Sequence, residues 1–155
     1  MNLFLVLRKD NGTLELVTPP LDDIILPGVT RDSVLALARD HASGKNPIAG
    51  FSGTLEVSER PITMKEVKAK AEAGNLLEVF GTGMSPLNVL NASSWFVLGT
   101  AAIICPVNRI GYLGEDIIVP AGQSGIGDLA KGFLQEIQGR QMGTIPSEWS
   151  VVVSE

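Results

Sequence analysis

A turn that leads into a helix start, at residues 25–33, constrains the fold of this chain more than any other stretch. Two apolar residues run into Pro27-Gly28, a dipeptide that marks turns because both of its residues favour turn backbone angles. Three of the next five residues are Thr, Asp or Ser, which are common at helix N-termini. Apolar residues then recur at helical spacing, which predicts a helix over about Ser33–Ala42.

The start of this helix has the chemistry of an anion site. The first backbone N–H groups of a helix have no acceptor within the helix, and the helix dipole favours negative charge there. Arg31 adds a positive charge that Asp32 partly opposes. Most capped helices bind nothing, so local physics leaves two interpretations open, an anion cup and an ordinary capped turn.

The composition excludes several classes of protein. A chain of 155 residues with 45% hydrophobic and 19% charged residues is long enough, and apolar enough, for one globular domain. Its net charge of −5 argues against a general nucleic-acid binder. A single cysteine and a single histidine, His41, exclude an internal disulfide and argue against a metal cluster. No run reaches transmembrane length and the first residues lack a secretory pattern, so we expect a soluble intracellular protein.

Turn and capping signals divide the chain into alternating strands and helices. Asn11-Gly12 predicts a hairpin, because both residues tolerate positive φ. Thr63 and Glu66 form a capping box that starts a helix reaching about residue 73. A third helix follows from the apolar spacing of residues 126–137, and Gly139 is expected to end it. The predicted strands are Leu3–Leu7, Leu14–Thr18, Leu55–Arg60, Leu76–Gly81, Ala101–Val107, Ile117–Val119 and Trp149–Val153.

Several motifs, in order, resemble those of the branched-chain-amino-acid aminotransferases, a fold-type IV family of pyridoxal-phosphate (PLP) enzymes. They are Leu16-Val17-Thr18-Pro19-Pro20-Leu21-Asp22, Ile25-Leu26-Pro27-Gly28-Val29-Thr30-Arg31-Asp32, Val57-Ser58-Glu59-Arg60-Pro61-Ile62-Thr63-Met64, Glu78-Val79-Phe80-Gly81-Thr82-Gly83, Thr100-Ala101 and Cys105-Pro106-Val107. The resemblance, of fungal type, covers nearly the whole chain but only the C-terminal part of the family. It implies one truncated C-terminal domain over residues 1–155, of mixed α+β class, with strands curled into a partial β-barrel and three helices packed outside.

The resemblance also implies a half-site for the cofactor. The backbone N–H groups of Val29 and Thr30, after the Gly28 turn, would bind the PLP phosphate, and the Leu26 side chain would pack on the cofactor ring. The Thr100 hydroxyl would add a third phosphate contact, and the Ala101 N–H would hold the substrate carboxylate. Each residue also has a plain alternative as a capped turn, a core side chain or an ordinary strand start.

The residues that would complete catalysis are missing from the motifs matched here. PLP enzymes need a lysine that binds the cofactor covalently and an acid that pairs with its pyridine nitrogen. In the family both lie upstream of the matched motifs, and none of the lysines here stands in a similar motif: Lys9, Lys45, Lys65, Lys68, Lys70 and Lys131. We therefore predict no catalytic residue, no metal and no transamination by this chain alone.

The parent enzyme implied by the resemblance would exchange an amino group between leucine, isoleucine or valine and 2-oxoglutarate, as a homodimer without nucleic-acid or membrane partners. Two alternatives stay open. One is another fold-type IV enzyme, such as a D-amino-acid aminotransferase or an aminodeoxychorismate lyase. The other is a non-catalytic phosphate-binding or oligomerisation fragment. The sequence does not distinguish a mitochondrial from a cytosolic parent.

One segment departs from the family pattern Gly-(Ser or Thr)-Gly-Thr-Ala. Gly81-Thr82-Gly83 is separated from Thr100-Ala101 by the sixteen residues 84–99. An unstructured loop of this length is uncommon in a compact domain. One hypothesis is a retained intron, because codons at both ends can encode splice sites and removal keeps the reading frame. The other is a genuine loop insertion. Either interpretation weakens the assignment of Thr100 and Ala101 as ligands.

Overall fold

The computed structural model describes residues 1–22, 25–84, 102–122 and 124–150. Within them the elements follow in the order β1 (Asn2–Arg8), β2 (Leu14–Thr18), α1 (Val29–Ala42), β3 (Leu55–Glu59), α2 (Met64–Glu72), β4 (Leu76–Met84), β5 (Ala102–Pro106), β6 (Arg109–Tyr112), β7 (Glu115–Ile118) and α3 (Asp128–Gln141).

Five strands form one sheet, in the order β3-β2-β1-β4-β5. β1 and β2 pair antiparallel around Gly12, whose φ is 82°, so the predicted hairpin is confirmed. β3 joins β2 in parallel, and β4 and β5 continue antiparallel on the other side of β1. β3 and β5 are the outer strands, so the described sheet is open and does not close into a barrel. The predicted mixed α+β class with three helices is confirmed, and the described strands form an open, mostly antiparallel sheet.

The central strand β1 is buried on both faces, because helices or strands cover each side of the sheet. Phe4 and Phe80 stack on one face, with ring centroids 5.2 Å apart, in a core that α1 and α3 complete. Leu5 and Val79 lie on the other face, in a core that includes Val67 of α2 and strand β7. α1 is therefore held against the sheet along its buried side, and its other side is partly exposed.

The three described helices begin in different ways. The Thr63 hydroxyl accepts a hydrogen bond from Glu66 N–H at 3.2 Å and caps α2, as the capping box predicts. The half-buried carboxylate of Glu78 caps α3 by accepting from the N–H groups of Leu129 and Ala130, both at 3.0 Å. Burial raises the pKa of Glu78, although these two hydrogen bonds act in the opposite direction. Among the described residues, no side chain caps α1.

Two helix boundaries differ from the sequence predictions. α1 begins at Val29, four residues before the predicted start, because the Asp32 N–H already bonds the Gly28 carbonyl at 3.1 Å. Gly139 does not end α3 but lies inside it, and the positive φ of 72° at Gly143 marks the real end. Both errors came from placing a boundary at a favourable residue type without knowing which backbone groups were bonded.

The ends of several strands also differ. β6 was not predicted, and β7 begins two residues earlier than expected. Residues 149 and 150 are not in a strand, and the rest of the predicted closing strand lies outside the described residues. The hairpin of β6 and β7 turns at Leu113 and Gly114, which both have positive φ.

We expect Glu15 to make the stability of the chain sensitive to acid. Arg60 donates to both carboxylate oxygens of buried Glu15, at 2.9 and 3.0 Å, and holds its pKa below the ordinary 4.5. A carboxyl group whose pKa is lower in the folded than in the unfolded state stabilises the fold above about pH 4.5. This stabilisation is lost as the pH falls through the folded-state pKa. Glu15→Gln should therefore cost about 1–3 kcal/mol at pH 7 and progressively less in acid.

Urea unfolding at pH 7 and at pH 3.5 measures both effects. Glu56→Gln is the matched control, since Glu56 pairs with Lys9 on the surface and such pairs contribute less than about 1 kcal/mol. An equal cost of Glu15→Gln at the two pH values would contradict the assignment.

Candidate functional site

The Pro-Gly turn is fixed against the beginning of the central strand by one side chain. Asn2 is buried, and its Nδ2 donates to the Leu26 carbonyl at 2.9 Å. A Cβ on Gly28 would collide with the Asn2 Oδ1 atom. Gly28 has an ordinary extended conformation, with φ of −82°, so glycine is needed here for space and not for its backbone freedom.

The first turn of α1 presents unbonded backbone N–H groups. Gly28 is the N-cap residue, and the first helical bond runs from Asp32 N–H to its carbonyl. No described residue accepts a hydrogen bond from the N–H groups of Val29 or Thr30. The Val29 side chain is 83% exposed, so this end of the helix faces outwards. The two N–H groups carry the positive end of the helix dipole and are free to bind an anion.

A buried arginine lies in the same turn. Arg31 is 1% exposed, and its Nη2 donates to the Pro19 carbonyl at 3.0 Å and to Glu59 Oε2 at 2.7 Å. The other carboxylate oxygen of Glu59 accepts from Arg39 at 2.5 Å. The Arg31 guanidinium, and to a smaller extent that of Arg39, holds the pKa of the Glu59 carboxyl below its ordinary value. Arg31 was predicted to add positive charge beside the anion cup, and the structure shows that charge to be partly neutralised.

A cleft of about 270 Å³ opens beside the turn. It is lined by Met1, Asn2, Leu3, Thr18, Pro19, Ile25 and Leu26. The volume is close to the lower end of the range for ligand pockets, about 300–1,000 Å³. The Leu26 side chain is 76% exposed at the cleft, which contradicts its alternative assignment as a core residue.

The structure thus brings four of the predicted site residues together. Leu26 borders the cleft, Gly28 makes the turn, and Val29 and Thr30 open the helix. The two others, Thr100 and Ala101, lie outside the described residues, as does most of the segment 84–99.

Sequence reasoning did not identify the side chains that support this site. Asn2 carries a weak signal, as a polar residue at the head of an apolar strand. Thr82, which lies opposite Asn2 in the sheet register, has a buried Oγ1 atom without a hydrogen-bond partner among the described residues. The Nε atom of Arg31 is also buried and has no hydrogen-bond partner among the described residues. Nothing in the local sequence separates these buried groups from surface polar residues.

Three of the candidate lysines and His41 have structural partners. Lys9, Lys45 and Lys68 form ion pairs with carboxylates. His41 lies in the last turn of α1, as predicted, where its Nδ1 accepts from Ile48 N–H and its Nε2 donates to the Gly53 carbonyl. Among the described residues, no group of three His, Cys, Asp or Glu side chains could hold a metal ion. No helix in the same part of the chain has the length and apolar character needed to cross a membrane.

Comparison with known proteins identifies relatives of this chain. No protein-family model matches the chain. It is 38% identical over 153 residues to the mitochondrial branched-chain-amino-acid aminotransferase of Rattus norvegicus and 40% identical over 159 residues to that of Saccharomyces cerevisiae. It is 35% identical over 151 residues to the cytosolic enzyme of Mus musculus. These matches cover 99%, 100% and 97% of the chain, respectively.

The chain is a homologue of aminotransferases. More narrowly, its relatives are branched-chain-amino-acid aminotransferases, and the predicted family resemblance is confirmed. The chain spans about a third of their length, since it covers 32%, 34% and 32% of the three proteins above.

We expect Gly28→Ala to displace the turn and Asn2→Ala to restore it. The added Cβ collides with Asn2 Oδ1 and breaks the hydrogen bond to the Leu26 carbonyl, at a cost of about 1–3 kcal/mol. In the Asn2→Ala background the collision is gone, so the same change should cost about 1 kcal/mol less. Thermal unfolding of the four variants in this double-mutant cycle measures the coupling. Additive costs would show that the two residues are not in contact.

Proposed function

We propose that this chain is the phosphate-binding part of a branched-chain-amino-acid aminotransferase and holds the 5′-phosphate of PLP at the start of α1. The observation that carries the proposal is the pair of N–H groups, of Val29 and Thr30, for which no described residue serves as acceptor. A phosphate supplies acceptor oxygens and a negative charge, which are what this helix end lacks.

The neighbouring residues fit the rest of the cofactor. Gly28 lets the turn pack directly against the Asn2 side chain, which fixes the helix start that would bind the phosphate. Leu26 would lie against one face of the pyridine ring, which explains an exposed leucine beside a cleft. We further propose the Thr100 hydroxyl as a phosphate ligand and the Ala101 N–H as a substrate-carboxylate ligand, because these two residues resemble the family motif. When bound, PLP supplies the electron sink for amino-group transfer. The chain itself binds and orients it.

The reaction of the complete enzyme is proposed from its relatives, whose names specify branched-chain amino acids. Leucine, isoleucine or valine would donate the amino group, and 2-oxoglutarate would accept it, in an intracellular homodimer. We retain the proposal of one truncated domain over residues 1–155, with residues 84–99 as an insert before Thr100. The alternative of a non-catalytic phosphate-binding fragment shares the same anion site and differs only in turnover.

Phosphorylated ligands are expected to bind this chain much more tightly than their dephosphorylated forms. Pyridoxine 5′-phosphate and pyridoxine are the matched probes, because neither carries the aldehyde that reacts with surface lysines. Hydrogen bonds from two N–H groups to a charged phosphate should make the phosphorylated ligand bind about tenfold or more tightly. Isothermal titration measures both affinities. Equal affinities, or no binding of pyridoxine 5′-phosphate, would contradict the proposal.

The chain alone should not catalyse transamination of leucine with 2-oxoglutarate above the rate of PLP in buffer. The reason is that no lysine of the chain stands in the family's PLP-lysine motif, and Lys9, Lys45 and Lys68 pair with carboxylates. A coupled assay of glutamate formation measures the rate, with protein-free PLP as control. Turnover by the purified chain would contradict the assignment of a half-site.

A further inference from the structure

The Arg31 guanidinium joins three segments that are distant in sequence. It is carried by the first turn of α1, and it bonds the Pro19 carbonyl just after β2 and the Glu59 carboxylate at the end of β3. β2 and β3 are parallel neighbours, with Thr18 opposite Glu59. The guanidinium therefore ties the helix start to one end of the sheet.

This tie lies next to the proposed phosphate ligands. Arg31 directly follows Thr30, so any rotation of the first turn that moves the arginine also moves the Val29 and Thr30 N–H groups. The other restraint on this region is the contact of Asn2 with Leu26 and Gly28, which acts on the turn before the helix. The arginine pair acts on the helix itself.

The burial of Arg31 restrains the ion pair, although Glu59 is partly exposed. The Arg31 side chain is 1% exposed and that of Glu59 is 31% exposed. A buried arginine whose carboxylate partner is removed leaves a charge without compensation, so the two groups hold each other in place. Arg39, which shares Glu59, has a side chain that is 57% exposed and contributes less to this restraint.

We propose that the Arg31–Glu59 ion pair is the positioning device of the phosphate site: it orients the first turn of α1 so that the Val29 and Thr30 N–H groups converge on the anion. The inference rests on the proposed function, because it assigns two further residues to the same site. Neither is a catalytic residue, since both act through the backbone of α1.

The negative charge of Glu59 and its proposed role in orienting α1 predict opposite effects of Glu59→Gln on phosphate binding. Glu59→Gln removes a negative charge beside the site, so Coulomb attraction alone would tighten the binding of a phosphate. Positioning predicts weaker binding, because the amide holds the guanidinium less firmly and the first turn of α1 shifts. A small misplacement of binding groups is enough to lower affinity by about fivefold or more.

Glu66→Gln is the matched control. The Glu66 side chain is also 31% exposed and also accepts from an arginine, Arg60, but it lies on α2, away from the anion site. Inorganic phosphate and pyridoxine 5′-phosphate are titrated into the unsubstituted chain and both variants, with thermal unfolding to confirm that each is folded. We expect affinity about fivefold or more lower for Glu59→Gln and within about twofold of the original for Glu66→Gln.

Arg31→Lys is the second variant, in case Glu59→Gln does not fold. Lysine keeps the charge, but its nitrogen lies nearer the backbone than the single Nη2 atom that bonds both Pro19 and Glu59. Both bonds should therefore lengthen or break, and phosphate affinity should again fall. Unchanged or higher affinity in Glu59→Gln, or in Arg31→Lys, would overturn the positioning role while leaving the phosphate site intact. Failure of the unsubstituted chain to bind either probe would instead overturn the proposed function, and the inference with it.

Discussion

The contact of Asn2 with the Gly28 turn is the constraint on which the rest of the site depends. It joins the beginning of the most buried strand to the residues just before α1. The helix start therefore has a fixed place relative to the sheet, and the cleft has a fixed wall. Because the Asn2 side chain leaves no space for a Cβ at Gly28, the turn is specified by packing as well as by its own backbone preferences.

The three described helix starts differ in how their first backbone N–H groups are satisfied. α2 is capped by its own Thr63, and α3 by Glu78 from the neighbouring strand. Such caps contribute about 1 kcal/mol each. α1 has no side-chain cap, although it is anchored by Arg31 and packed along its length. A bound phosphate would satisfy the groups that a cap satisfies elsewhere, so the open helix end is consistent with a ligand site.

Sequence reasoning succeeded where the signal is local. The Asn11-Gly12 hairpin, the capping box at Thr63 and the turn at Gly28 depend on residues within a few positions of one another, and the structure contains all three. The helix boundary at Val29 was missed by four residues, since it depends on which backbone groups are bonded and not on which residue types are present.

The supporting side chains of the site could not be predicted for a different reason. Asn2 bonds Leu26 across 24 positions, and Arg31 bonds Glu59 across 28. Both Glu59 and Arg60 stood in a motif that matched the family, but the sequence alone did not show that one supports the helix start and the other pairs with Glu15. The family resemblance indicated the candidate site, and only the fold showed which side chains hold this helix start in place.

The central claim is that the Val29 and Thr30 N–H groups bind the phosphate. Titration of the isotope-labelled chain with pyridoxine 5′-phosphate, followed by amide resonances in NMR spectra, tests it most directly. The account predicts that these two amides show the largest shifts, with a downfield direction typical of a new hydrogen bond, and that pyridoxine leaves them unchanged. Shifts that cluster elsewhere while both amides stay in place would contradict it.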